Sequence, residues 1–218
     1  MKRKGADILG VINVVDSTIA RESGGVAYIQ AGPEIGVAST KAYTLQILTI
    51  SMLALYFAEV RGTCSPESIN QIKEALLALP AQVTDVLQRE PDIFQLAKHY
   101  YKKRNALYLA RGINLASAME GALKLKEISY VHAEAYSAGE MKHGPIALVE
   151  PDIFVVAISC HDQTYHDMVG NIMEIKARSG PVIAVATDGD GDHVVVQRRQ
   201  IAWAEMGPAR GAAVRAGP

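Results

Sequence analysis

The chain has 218 residues, 49% of them hydrophobic, and a formal net charge of -1. That length holds one large domain or two small ones, and the near balance of charge excludes a general nucleic-acid surface, since no long basic stripe can neutralise phosphates. Its two cysteines, Cys64 and Cys160, have no CxxC spacing and indicate a reducing compartment rather than a disulfide framework.

The basic start leads into "DILGVINVV", β-branched and almost continuously apolar, as expected for a strand covered on both faces of a parallel sheet. It lacks the longer apolar core and cleavage site of a signal peptide. "DSTIARESGG" is predicted to be a polar loop, "VAYIQAG" a second strand and "PEIGVAST" a further loop. "TKAYTLQILTISMLALYFAEVRG" then forms a long helix that closes at Gly62. Its apolar run "ILTISMLALYFA" is too short for a bilayer, so a cytoplasmic chain without membrane contact is expected.

From Cys64 the pattern changes. Ser65 and Pro66 suit the N-cap and first position of a helix over "SPESINQIKEALLAL", and "PAQVTDVLQREP" and "DIFQLAKHYYKK" read as two more short helices. "NALYLARG" is then a strand, followed by a helix from about Ala116 to Tyr130. "IFVVAIS" and "PVIAVATDGD" are strands around a helix at "TYHDMVGNIMEIKARSG". The expected fold is α/β, with parallel sheets flanked by helices in two units and the first unit incomplete. The expected divisions are 1–62, a helical connector at 63–104, a second unit at 105–190 and a divergent, disordered tail at 191–218.

The charged helix carries the chemistry. At 100° per residue Glu120, Lys124 and Glu127 share about one sixth of the circumference. Ala122, Leu123, Leu125 and Ile128 supply the apolar surface, and Lys126 points to solvent. A solvated salt-bridged stripe is the plainer account of these charges. A catalytic account gains from the polar residues C-terminal to the helix: His132, Glu134, Glu140, Lys142 and His143, the last in the Gly-bounded loop "GEMKHGP". A carboxylate beside a lysine and a histidine suits proton transfer on a sugar. The Glu moves a proton between adjacent carbons, the Lys stabilises the oxyanion, and the His serves hydroxyl and ring oxygens. H-x10-H is not a metal-ligand spacing, so no metal and no cofactor is expected.

"ESGGVAYIQAGPEIGVASTKAYTLQI" and "ARGINLASAMEGALKLKEISYVHAEAYSAGEMKHGPIAL" together resemble the isomerase half of the glutamine–fructose-6-phosphate aminotransferase (glucosamine-6-phosphate synthase) family. That half is built from two sugar-isomerase (SIS) domains, and the resemblance runs from about Lys4 to Asp190. It implies that Glu127 is the base for C1–C2 proton transfer, with Lys124 beside it. It implies that His143 assists ring opening across a dimer interface, and that Val37 and Ser39 of "GVAST" contact substrate. The implied ligands are fructose 6-phosphate and glucosamine 6-phosphate, and the implied partner is a second copy in a homodimer. Ser39 also suits the role of N-cap for "TKAYTLQI", and His143 that of a loop histidine bonded to backbone.

The chain departs from the family in lacking the upstream Ser/Thr-rich phosphate loops, a terminal Schiff-base lysine and the Cys-led glutaminase half. The expectation is therefore a synthase fragment that is catalytically silent alone. Two alternatives stay open: another SIS sugar-phosphate isomerase or deaminase, and a non-catalytic sugar-phosphate-binding module.

Overall fold

The computed structural model describes residues 5–187 and the backbone of 194–197. Its internal contacts divide the chain into two units that meet between Ala78 and Leu79. The division falls within a helix, next to Pro80, which has no N–H to offer the Leu76 carbonyl one turn back.

In the first unit β1 (Leu9–Ile12) and β2 (Gly25–Tyr28) form a two-stranded parallel sheet, with Leu9 opposite Gly25 and Ile12 opposite Tyr28. Between them lies α1 (Thr18–Glu22), where the sequence suggested only loop. Ser17 caps it by accepting a hydrogen bond from the Ala20 N–H at 3.2 Å. β1 is shorter than its apolar run because Asn13 leaves the ladder. Its side chain accepts from the Ala31 N–H at 3.0 Å and donates to the Gly32 carbonyl at 2.7 Å, tying the strand end to the next loop.

The long helix α2 (Lys41–Arg61) ends at left-handed Gly62, as expected of a glycine at that position. The short run judged too brief for a bilayer lies within this 21-residue helix, which by length and apolar composition alone could cross one. Core helices of large proteins have the same all-round apolar character. Among the described residues of this unit, only Ile29, Ala31 and Ala42, backed by Val11 and Leu45, form a buried cluster. Two four-residue strands reach ~13 Å, while α2 runs ~32 Å, so Ile47, Ile50, Met52, Tyr56 and Phe57 remain exposed.

α3 (Pro66–Leu87) starts at Ser65, whose hydroxyl accepts from the Ser68 N–H at 3.2 Å. It continues through Pro80, so the two helices expected on either side of that proline are one. α4 (Glu90–Tyr100) follows.

The second unit holds β3 (Asn105–Ala110), α5 (Asn114–Ser129), β4 (His132–Ser137), β5 (Ile153–Ser159), α6 (Tyr165–Ala177), β6 (Val182–Thr187) and β7 (Val194–Gln197). The strand order is β4-β3-β5-β6-β7, parallel except for β7, which runs antiparallel to β6. β7 falls in the stretch expected to be disordered, and the Ala/Gly/Pro/Arg-rich end beyond it lies outside the described residues. β4 went unforeseen because its charged and aromatic residues read as an extension of the site. "GEMKHGP" is not an irregular loop but two 3₁₀ turns, Ala138–His143 and Pro145–Leu148.

Crossovers between parallel strands are right-handed, so the direction of each step decides which face its connection covers. The step from β3 out to β4 puts α5 on one face. The steps from β4 back to β5 and on to β6 put the 3₁₀ turns and α6 on the other. The packing agrees. Met141, Met168, Ile172 and Ile175 meet Leu107, Leu109, Val155 and Ala157, whereas Ala122, Leu125 and Tyr100 meet Ala106, Phe154, Val156 and Ile183. Each fully buried large side chain contributes about 1.5–3 kcal/mol. α5 approaches the sheet so closely that a Cβ at Gly121 would lie 2.8 Å from the Tyr108 ring.

Candidate active site

α5 packs on the sheet through Ala118, Ala122 and Leu125 and is closed at its end by the exposed Tyr130. That residue is in the left-handed conformation at φ 59° and returns its N–H to the Lys126 carbonyl. Leu123 and Ile128, read with Ala122 and Leu125 as the apolar surface of the helix, are exposed. The helix inner surface is built from small side chains, and these two point away from it.

The helix therefore turns Glu120, Lys124 and Glu127 outward together. The Lys124 ammonium donates to Glu127 Oε2 at 2.7 Å and lies 3.2 Å from Glu120 Oε1. Side-chain exposures of 20% for Lys124, 22% for Glu120 and 30% for Glu127 show that the three shield one another. The hydrogen bond with Glu127, then the charge and hydrogen bond of Glu120, hold the Lys124 ammonium above its ordinary pKa against the opposing effect of burial. It is a fixed cation near neutral pH.

The remaining polar residues of the motif do not join this triad. His132 and Glu134 lie on β4, with His132 Nε2 3.5 Å from Glu134 Oε1. The Tyr136 hydroxyl donates to Glu134 and, with the charges of His132 and Lys126, lowers its pKa. Lys142 Nζ sits 2.7 Å from Glu174 Oε1 on α6. His143 ends the first 3₁₀ turn, exposed, and its ring has no hydrogen-bond partner among the described residues. That turn packs on the α6 face through Ala138 and Met141, so Glu127 and His143 of one chain lie on opposite faces of the sheet.

In the first unit Val37 is 95% exposed at the tip of the loop before α2, and Ser39 is half-buried. Ser39 is not the N-cap. Thr40 occupies that position without a side-chain cap bond, and the cap comes from Glu34, whose Oε1 accepts from the Ala42 N–H at 2.9 Å and the Thr40 N–H at 3.3 Å. The hydrogen bond from Ala42 is the main cause of a lowered Glu34 pKa. Lys41 Nζ, donating to the Pro33 carbonyl at 2.7 Å, closes the loop from the other side. Glu34 escaped the sequence reading because it stands outside the capping-box spacing; a carboxylate just before a helix start was its only signal. Among the described residues no group of three or more His, Cys, Asp and Glu side chains could hold a metal ion.

The SIS domain model matches residues 1–56 and 99–200. The chain belongs to the SIS domain family. This SIS chain is 49% identical over 189 residues to the glutamine–fructose-6-phosphate aminotransferase (isomerizing) of Thermus thermophilus, covering 87% of its own length and 31% of that protein. It thus spans about a third of the curated relatives it matches. The C-terminal domain of glucosamine-fructose-6-phosphate aminotransferase from Francisella tularensis superposes with a TM-score of 0.81 at 38% identity, over 82% of this chain and 51% of that one. The tagatose-6-phosphate ketose/aldose isomerase of Escherichia coli shares the fold, with a TM-score of 0.66 at 20% identity over 88% of this chain and 53% of that one. The SIS chain thus corresponds to part of the isomerase region of the aminotransferases, as its motifs implied.

Proposed function

We propose that this chain carries the proton-transfer part of aldose–ketose isomerisation in the synthesis of glucosamine 6-phosphate from fructose 6-phosphate and glutamine, in the cytoplasm. The observation that carries this reading is the Lys124 ammonium clamped between Glu120 and Glu127 on the outward face of α5. Glu127 moves a proton between C1 and C2 through an enediolate, and the fixed charge of Lys124 stabilises the oxyanion as it develops. Val37 and Ser39 contact the sugar.

His143 assists ring opening at the site of a second copy. Two features support a role in trans: its exposed ring, and its place across the sheet from Glu127.

The test replaces the matching segment of the Thermus thermophilus relative with residues 5–187 of this chain and measures glucosamine 6-phosphate formed from fructose 6-phosphate. The expected result is an active chimera that loses ~10²–10⁴ of its rate on Glu127→Gln, while the chain alone makes no product. Full activity after Glu127→Gln removes Glu127 from the mechanism. Product from the chain alone with ammonia refutes the view that it is silent by itself.

A further inference from the structure

A line of polar contacts in the second unit has no place in the proton transfer assigned to α5. It runs from the end of β3 across α6 to the residue preceding His143. Arg111, just past β3, donates through Nε to Asn171 Oδ1 at 2.9 Å and through Nη1 to Asp167 Oδ2 at 3.2 Å. Asn171 is only 4% exposed and donates through Nδ2 to Glu174 Oε2 at 3.4 Å. The other oxygen of Glu174 holds the Lys142 ammonium at 2.7 Å.

We propose that Glu174 is a positioning residue for His143, acting through Lys142. The inference rests on the proposed role of His143 in ring opening. An ion pair between exposed side chains is ordinarily weak, because two long chains must be held in one geometry. Here one partner is held in advance. Asn171 is buried on the sheet side of α6, and its carbonyl is pinned by Arg111 just past the end of β3, so its amide aims Glu174 before Lys142 arrives. Pre-organisation of this kind turns a loose contact into a directional one.

The same arginine supports the turn from below. A Cβ at Gly139 would lie 3.6 Å from both terminal nitrogens of Arg111, so the backbone of the turn rests on the guanidinium plane. Met141, fully buried, anchors the middle of the turn. The segment Ala138–His143 is therefore fixed at Gly139, Met141 and Lys142, and the first residue beyond the last anchor is His143. With the turn fixed, the exposed imidazole has a defined direction without any hydrogen bond of its own. Such a direction suits a group that acts outside its own subunit.

The test is hydrogen–deuterium exchange and histidine ring NMR on the purified full chain, on Glu174→Gln, Lys142→Met, Lys142→Arg and the Glu174→Gln/Lys142→Met double variant, and on His143→Gln for assignment. Glu174→Gln keeps an acceptor for Asn171 and removes the charge that holds Lys142. The expected result is roughly three- to tenfold faster amide exchange in 138–143 for Glu174→Gln and Lys142→Met alike. Their double variant is no faster than either single, because both break one contact. Lys142→Arg restores the wild-type rate, and the His143 ring resonance, assigned with His143→Gln, shifts in the two disrupted variants only.

Unchanged exchange and an unchanged His143 resonance in Glu174→Gln overturn the proposal. So does faster exchange along all of α6, unmatched in Lys142→Met, which would mark a purely structural role. The role of His143 itself is tested separately by His143→Gln in the chimera. Full turnover there with a loosened turn in Glu174→Gln refutes the role of His143 and leaves the positioning contact standing.

Discussion

Glu34 ties chemistry to folding at the scale of one residue. Its carboxylate accepts from two N–H groups that a helix start leaves without partners. Its pKa is lowered in the fold, chiefly by the Ala42 hydrogen bond, with Thr40, Lys41 and Ser39 acting in the same direction and burial against it. A carboxylate with a depressed folded pKa contributes stability that is fully present above its unfolded value. That stability is lost as the pH falls through the folded value. The Thr40 and Ala42 amides should therefore exchange faster, relative to intrinsic rates, once the pH drops below the ordinary glutamate range of about 4.3. Glu34→Ala should show roughly fivefold faster exchange there already at pH 7. Equal exchange in variant and wild type would move the cap elsewhere. Lys124 differs in sign: its raised pKa keeps the contribution of its pairing present through neutral pH, to be lost only in strongly alkaline solution.

Among the elements, α5 presents the candidate catalytic charges only because it packs so close to the sheet. Gly121 makes that approach possible, with the Tyr108 ring where a Cβ would stand, and Ala118 and Ala122 complete the inner surface. Gly121→Ala gains about 1 kcal/mol of helix propensity, but a methyl group 2.8 Å from Tyr108 Cε1 crowds a partly buried ring that packs on the core. The expected net loss is ~1–2 kcal/mol in urea unfolding. An unchanged or raised midpoint would mean that α5 can ride outward at no cost. α3 teaches the opposite lesson about propensity. Pro80 is a strong reason to end a helix, yet α3 runs from Pro66 to Leu87 with the proline inside it and Ile69 as its one buried residue.

The whole molecule combines two units of unequal cohesion. The second has a five-stranded sheet with buried residues on both faces, Leu109, Val155, Met168, Ile172 and Ile175 on one and Ala106, Ala122, Ala133 and Phe154 on the other. The first has two short strands beneath a long apolar helix, and a two-stranded sheet is marginal alone. The chain by itself should therefore lose amide protection in residues 5–62 well before residues 105–187 on mild heating, and bind an apolar dye as it does so. A single sharp transition covering both stretches would contradict this.

What the sequence alone determined was the kind of structure and the identity of the charged stripe. Period-2 and period-3.6 patterns report which face of an element is apolar, and Glu120, Lys124 and Glu127 fall together on any helix drawn through them. The C-terminal end of α2 was equally legible, because Gly62 signals a stop through its own backbone freedom. Tertiary structure decided what depends on partners far along the chain. Ser39 lost the capping role to Glu34, Asn13 cut β1 short by reaching Ala31 and Gly32, and Leu123 and Ile128 were turned outward by the close fit of α5. His143, a near neighbour of Glu127 in sequence, was carried to the other face of the sheet by the right-handed rule for crossovers. Local patterns carry no information about such choices, because each is settled by which distant group offers the better hydrogen bond or the tighter packing.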